Sequence, residues 1–351
     1  MKLPSEYLSP IDSGRFIAEH AEHVTISDKG VQRAAKLIVG AAQDGRLRDS
    51  EWIKAELHPQ GDKMDAIEWC FVNDTLNFSF WPNSAGDHFR VTLDDGVSYT
   101  GYFALCACIN RAIDEGIKLT DPKCYGQLTP TELTEIFTGD NGMVMPLVSE
   151  RCSILHDTAA VLIEKFDGSF YNCLCQSNYS AQALVQLLVE NFESYRDFGT
   201  YRGKQVSFLK RAQILIADLN SCLSPSPDQP YFTDIDSLSM FADYRVPQSL
   251  FYIGVISYSP QLIDALNKHD GVYERVGEGN VTKDMEKEIR GCSIRACELI
   301  VQSAHEQLAD KEMKHQINSA AVDYFLWRYR RQHAADVENT VPFHRMRSIY
   351  Y

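Results

Sequence analysis

Three carboxylates, Asp234, Asp236 and Asp243, fall within a single ten-residue window, interleaved with the rings of Phe232, Phe241 and Tyr244. Carboxylates beside aromatic rings suit the cleavage of a glycosidic bond. A fixed carboxylate stabilises a sugar cation, and rings can sandwich a base. Asp243 stands just ahead of Val246-Pro247. Proline opens helices readily, because its missing N–H is one that a helix start leaves unpaired anyway. The residue before it is pushed towards extended geometry. The sequence therefore predicts a bend at Asp243 and a helix that begins near Pro247. The positive end of that helix favours an ionised carboxylate, and a bend can aim the side chain into a cleft. Plainer roles compete. Asp234 or Asp236 could cap a helix over residues 237–242, and Asp243 could pair with Arg245.

Other chemistries lack their motifs. The chain has no GxxxxGK[ST] or GxGxxG phosphate loop and no GxSxG elbow. His20 and His23 have HxxH spacing, but HExxH is absent, as are a calcium loop and any CxxC pair. The net charge of −14 argues against broad clamping of a nucleic-acid backbone, though it leaves room for a small pocket holding one phosphate. At 351 residues and 44% apolar content the chain can build a real core. The ten cysteines sit in apolar or helical runs and read as reduced thiols. With no secretory signal at the start and no apolar run long enough for a membrane helix, a soluble cytoplasmic or nuclear protein is expected.

The elements that must position these residues read as mostly helical. Helical spacing runs through residues 8–24, and again from Ser27, a natural N-cap, through Ile38. Residues 66–101 change period: Leu76 to Trp81 alternates, and Asp94-Asp-Gly96 marks a hairpin, so a small antiparallel sheet is expected here. Helices are then expected over 102–115, 129–137 behind a Thr129–Glu132 capping box, 146–166, 180–193, 207–223, 259–268, 284–309 and 314–333. No linker marks a boundary, so one domain over residues 1–351 is expected, with a split near residue 140 as the alternative. The terminus, Phe343 to Tyr351, is aromatic and basic, which suggests that the tail docks onto the body.

The stretch from Phe232 to Gln248 resembles the signature of the queuosine salvage family, the queuosine 5′-phosphate N-glycosylase/hydrolases. Further matching stretches are Asn73 to Trp81, Gly101 to Gly116, Met145 to Arg151, Ser207 to Gln213, Glu288 to Ser293 and Pro342 to Tyr351. The resemblance runs through nearly the whole chain, in order. It implies a mainly α fold related to helix-hairpin-helix DNA glycosylases. It implies hydrolysis of queuosine 5′-monophosphate to queuine and ribose 5-phosphate, with no metal and no organic cofactor, and queuine reused for tRNA modification. In those glycosylases the essential aspartate stands just before a helix in a pattern resembling Val-Asp-x-x-Val, and Ala242-Asp243-Tyr-Arg-Val246 fits that place.

On this reading Asp243 is the catalyst: it faces the anomeric carbon, stabilises the oxocarbenium ion, and positions or deprotonates water. Asp234, Asp236 and Asp323 could hold the amine-bearing edge of the base or the cationic amine of its cyclopentenediol arm. Phe232, Phe241, Phe78 and Trp81 are stacking candidates, each with a place in the core as its plainer role, and Tyr244 joins them beside the catalyst. Lys210, Arg245, Arg345 and Arg347 are candidates for the 5′-phosphate, where a bidentate arginine fits best. The expected partner is this nucleotide, with no stable nucleic-acid partner and no membrane. Two other functions compete: a base-excision glycosylase acting on nucleic acid, and a non-catalytic binding protein of the queuosine pathway.

Overall fold

The computed structural model describes residues 3–47, 55, 57–59, 61–81, 89–94, 96–224, 230–268, 281–309 and 311–351. They are mainly helical, with three small antiparallel two-stranded sheets. Helices α1 (Pro10–His20) and α2 (Asp28–Gln43) flank strand β1 (Val24–Ile26). Ser27 caps α2 by accepting from the Gly30 amide at 3.2 Å. After α3 (Lys63–Thr75), strands β2 (Arg90–Thr92) and β3 (Ser98–Thr100) form the hairpin expected around Gly96. Next come α4 (Tyr102–Asp114), α5 (Pro122–Tyr125) and α6 (Pro130–Ile136), the last with the Thr129–Glu132 capping box in place. Helices α7 (Val148–Lys165), α8 (Phe170–Gln176) and α9 (Ala181–Asn191) lead to the hairpin of β4 (Phe198–Tyr201) and β5 (Lys204–Ser207). Then α10 (Lys210–Leu223) and α11 (Val246–Ile253) bracket the aspartate stretch. Strand β6 (Ile256–Tyr258) returns to pair with β1, placing Val24 opposite Tyr258. The chain finishes with α12 (Pro260–Asn267), α13 (Lys283–Gln307), α14 (Lys311–His315), α15 (Ser319–Gln332) and α16 (Ala334–Thr340).

Three expectations need correction. Residues 66–75 belong to helix α3 and not to a sheet. Nearly every residue from Ala66 to Thr75 is buried, so the apolar pattern carries no single face from which a helical period could be read. Leu76 to Phe80 alternates but, among the described residues, pairs with no strand; cations take carbonyls along it instead. Arg211 donates to Thr75 O, Arg151 to Leu76 O and Phe78 O, and Lys210 Nζ to Asn77 O at 3.2 Å. Residues 237–242 form no helix. A single 3₁₀ turn, Ile235–Ser237, is followed by extended chain, because Ser239 and Phe241 give their amides to the side chains of Gln213 and Asp323.

Two large apolar cores form. One gathers side chains from α3, α4, α7, α9 and α10; the other gathers them from α1, α2, α11, α13 and α15. In the second, α2 crosses so near the end of α11 that a Cβ at Gly30 would stand 1.9 Å from the Gly254 carbonyl oxygen. Gly254 itself ends α11 at a φ of 78°, a left-handed cap that favours glycine. Among the described residues no helix is long and apolar enough to cross a membrane.

Candidate active site

A cleft of about 770 Å³ is walled by α10, α15, the aspartate stretch and the C-terminal tail. One face of α15 lines it with Asp323, Tyr324, Trp327, Arg330 and Arg331. These positions recur every three or four residues, so a single helical stripe points inward. Across from it, α10 contributes Lys210, Ile214, Ala217 and Asp218 at the same spacing.

Asp243 lines the cleft directly before α11. Its Oδ1 accepts the amides of Arg245 at 2.9 Å and Val246 at 2.8 Å, so the first turn of the helix fixes the carboxylate. Pro247 sits at the second helical position, where a missing amide costs nothing. Among the described residues nothing donates to Oδ2. Arg245 does not pair with this carboxylate through its side chain; it goes to Glu338 and Gln248. From behind, buried Arg290 on α13 donates Nε to the Ala242 carbonyl at 2.9 Å and grips Asp197 with both terminal nitrogens, at 3.1 and 2.6 Å.

Burial pushes the Asp243 carboxyl above the ordinary aspartate range, against the pull of the Val246 amide and Lys210. Asp323 is buried, and its Oδ2 accepts the Phe241 amide at 3.0 Å. Its carboxyl is raised well above that range, first by burial and then by the charge of Asp243. The two acids thus differ in environment: burial raises both, and the charge of Asp243 raises Asp323 further. Such an arrangement separates a charged role from a proton-bearing one. Lys210 stands within electrostatic reach of both; its Nζ donates to Asn77 O and Oδ1 at 3.2 and 3.1 Å, and burial lowers its pKa.

The other sequence candidates divide. Phe241, Trp81, Tyr244, Arg245 and Arg345 line the cleft with Asp243, Asp323 and Lys210. Trp81 and Tyr244 meet edge to face at 4.6 Å, and Phe343 lies between the guanidiniums of Arg245 and Arg345, at 4.3 and 5.1 Å. Phe232 and Phe78 lie elsewhere. Phe232 is core, edge-on to Tyr231, and Phe78 is buried beneath Arg151 at 4.2 Å. Arg347 is buried over the Trp81 ring at 4.8 Å and does not line the cleft. Asp234 caps α9, accepting from the amides of Ala181 and Gln182 and from the Ser180 hydroxyl at 2.9 Å. Burial opposes its ionisation, but those donors outweigh it and hold its carboxyl low. Asp236 accepts from Asn318 Nδ2 at 2.9 Å and meets the cleft only through that amide.

Sequence reasoning missed Tyr102, Trp327, Arg330, Arg331 and Asp218, all of which line the cleft. The stripe that starts at Asp323 on α15 carries the signal for three of them. Tyr102 heads α4, its hydroxyl bonded to Asn73 and His58 at 3.1 and 3.0 Å. Its ring meets Trp327 edge-on at 6.4 Å, forming an aromatic wall. Among the described residues no group of three or more His, Cys, Asp or Glu could hold a metal ion. The cleft therefore brings together aromatic rings, the carboxylates of Asp243 and Asp323, and the guanidiniums of Arg245, Arg330, Arg331 and Arg345.

Comparison with known proteins matches this chain to a family model described as queuosine salvage protein, over residues 57–351. A protein of Bos taurus named queuosine 5′-phosphate N-glycosylase/hydrolase is 45% identical over 349 residues, covering 98% of this chain and 99% of its own. Proteins of the same name are 45% identical in Mus musculus, covering 98% of this chain and 99% of their own, and 34% identical in Schizosaccharomyces pombe, covering 97% and 99%.

Proposed function

The chain belongs to the queuosine salvage protein family, and from that premise we propose that it hydrolyses the N-glycosidic bond of queuosine 5′-monophosphate. The products are queuine and ribose 5-phosphate, and the released base is available for tRNA modification. The observation that carries this reading is the carboxylate pair: Asp243, held by the amides of Arg245 and Val246, lines an aromatic cleft together with buried Asp323.

Water attacks C1′ of the ribose as the C1′–N bond to the base breaks. Asp243, ionised, stabilises the oxocarbenium ion and takes a proton from the water. The leaving group is a 7-deazaguanine, which lacks the ring nitrogen that purine hydrolases usually protonate. Its departing charge must be met elsewhere on the ring, and we assign that role to Asp323, whose carboxyl burial and the charge of Asp243 raise well above the ordinary range. Phe241, Trp81 and Tyr244 enclose the base and sugar, and Tyr102 and Trp327 extend that wall. Arg245 and Arg345, with Arg330 and Arg331, form the phosphate end, and Lys210 supports the carboxylates between. Buried free thiols such as Cys106, Cys108 and Cys292 suit a reducing compartment, and we place the protein in the cytoplasm or nucleus.

The test is base release. Purified protein is incubated with queuosine 5′-monophosphate, queuosine and guanosine 5′-monophosphate, beside Asp243→Asn, and products are separated by chromatography. Queuine is expected from the first substrate. Loss of one fixed transition-state charge lowers the rate about 10²–10³-fold, about 3–4 kcal/mol, so Asp243→Asn should fall at least that far. Release undiminished in that variant would move the chemistry to another carboxylate, and no release from any substrate would leave a binding protein.

A further inference from the structure

Glu338, on α16, closes over the arginine end of the cleft. Its Oε1 accepts from Arg245 Nη1 at 2.6 Å and from Arg330 Nη2, and its Oε2 accepts from Gln248 Nε2 at 3.3 Å. The two arginines are set into the walls, with side chains 22% and 12% exposed, while the carboxylate is the outermost member at 38%. Arg345, which shares the Phe343 ring with Arg245, and Arg331, which feels the charge of Arg245, line the same cleft. Two guanidiniums on Glu338, with two more arginines in the lining of the same cleft, concentrate positive charge in a chain of net charge −14. Arg330 is pushed down to about 10, by burial first and then by Arg245, and burial and Arg245 lower Arg331 as well. Burial opposes the ionisation of Glu338, but Arg245 and Arg330 outweigh it and keep the carboxyl low. One oxygen of this carboxylate receives both guanidiniums and the other receives the Gln248 amide, acceptor positions that the oxygens of a phosphate monoester can also fill.

We propose that Glu338 occupies the seat of the substrate's phosphate in the empty enzyme, holding Arg245 and Arg330 in place until a phosphate monoester displaces it. The inference rests on the nucleotide-hydrolase reading and adds the residue that separates nucleotide from nucleoside. A dianion that can also reach Arg331 and Arg345 outcompetes one carboxylate. A nucleoside brings no such charge and meets a closed mouth. The displacement needs only a side-chain swing, since Glu338, Asn339 and Thr340 are all exposed.

Calorimetric titration of inorganic phosphate, and separately of ribose 5-phosphate, into the full chain tests this. Glu338→Gln removes the competing charge and should bind both several-fold more tightly. Glu338→Ala, which cannot restore the contact through an amide, should do the same, and Arg330→Gln should lose most of the binding. Base release from queuosine, the nucleoside, should rise in both Glu338 variants relative to release from the nucleotide. Thermal melts check that each variant is folded. Phosphate binding that weakens or stays unchanged in both Glu338 variants would overturn the proposal, because the carboxylate would then be orienting the arginines rather than standing in for the ligand. Nucleotide hydrolysis by the same wild-type preparation separately tests the reading beneath it.

Discussion

At the scale of single residues, the division of labour between Asp243 and Asp323 makes a pH prediction. Both carboxyls are raised, but Asp323 is raised further, in part because Asp243 ionises first. The active form on this reading has Asp243 charged and Asp323 neutral. The profile of kcat/KM should therefore be a bell, rising as Asp243 loses its proton and falling as Asp323 loses its own. Asp323→Asn keeps a neutral donor and cannot ionise, so it should retain the acid limb and lose the alkaline one. An alkaline limb that persists in Asp323→Asn would belong to another group, with Lys210 the first suspect. Stability carries a matching signature. Above the unfolded aspartate value of about 3.9, and up to the raised native value, the native chain holds a proton that the unfolded chain has lost. Stability should fall as pH rises across that window, and the fall should be smaller in Asp323→Asn when urea unfolding is compared at mildly acidic and neutral pH.

At the scale of elements, the catalyst depends on a joint between α11 and α13. The amides of α11 fix the Asp243 carboxylate from the front, and Arg290 holds the preceding carbonyl from behind while bridging Asp197 and Glu286. These three ionic side chains are between 3% and 8% exposed, so removing the cation strands two buried carboxylates. Arg290→Met should cost about 3–5 kcal/mol of stability, as breaking a buried ion pair from one side does. Activity should fall beyond what the remaining folded fraction explains, because the Ala242 carbonyl loses its anchor; activity that tracks the folded fraction would make Arg290 structural only. The front half of this joint is legible in the sequence, since Val246-Pro247 fixes the helix start and with it the place of Asp243. The rear half is not, because Arg290 meets Ala242 across a separation of 48 residues. The same distance problem hides the role of Asp234, which is local in spacing to Asp243 but caps a helix 54 residues away from it. Two of the aromatic candidates lie outside the cleft for a related reason. Phe78 and Phe232 have the right chemistry for stacking, but ring type does not say which rings face a cleft and which fill a core. The α3 region misled because a helix buried on all sides shows no amphipathic period, and the Leu76–Phe80 segment alternates like a strand while arginine and lysine side chains take the place of a sheet partner.

At the scale of the whole molecule, the C-terminal tail ties the two apolar cores together at the cleft. Ser79, which follows α3 and the first core, gives its amide to the Tyr351 carbonyl at 3.0 Å and its hydroxyl to the Ser348 carbonyl at 2.7 Å. The ring of Tyr351 meanwhile lies against Arg290 on α13, in the second core, at 4.2 Å, and forms part of the cleft wall. Trp81, Tyr244 and Phe343 pack around it. A tail fixed at both sides in this way is a structural member, and it argues that residues 1–351 unfold as one unit. The full chain should show a single thermal transition with calorimetric and van't Hoff enthalpies in agreement. Truncation after Arg347 removes three hydrogen bonds to Ser79, including the one its hydroxyl accepts from the Ser348 amide at 3.2 Å, and the buried side chain of Tyr351, a loss of about 1.5–3 kcal/mol from burial alone. The truncated protein should melt earlier. Because the cleft wall then lacks Tyr351 and Ser79 loses its bonds to the tail, base release should fall by about 10²-fold, the size of effect that misplacement on the order of an ångström produces. Two separate transitions in the full chain would show that the cores are independent domains and that the tail only touches them. A single transition in the full chain that splits in the truncated one would identify the tail as the element that couples the two halves of the site.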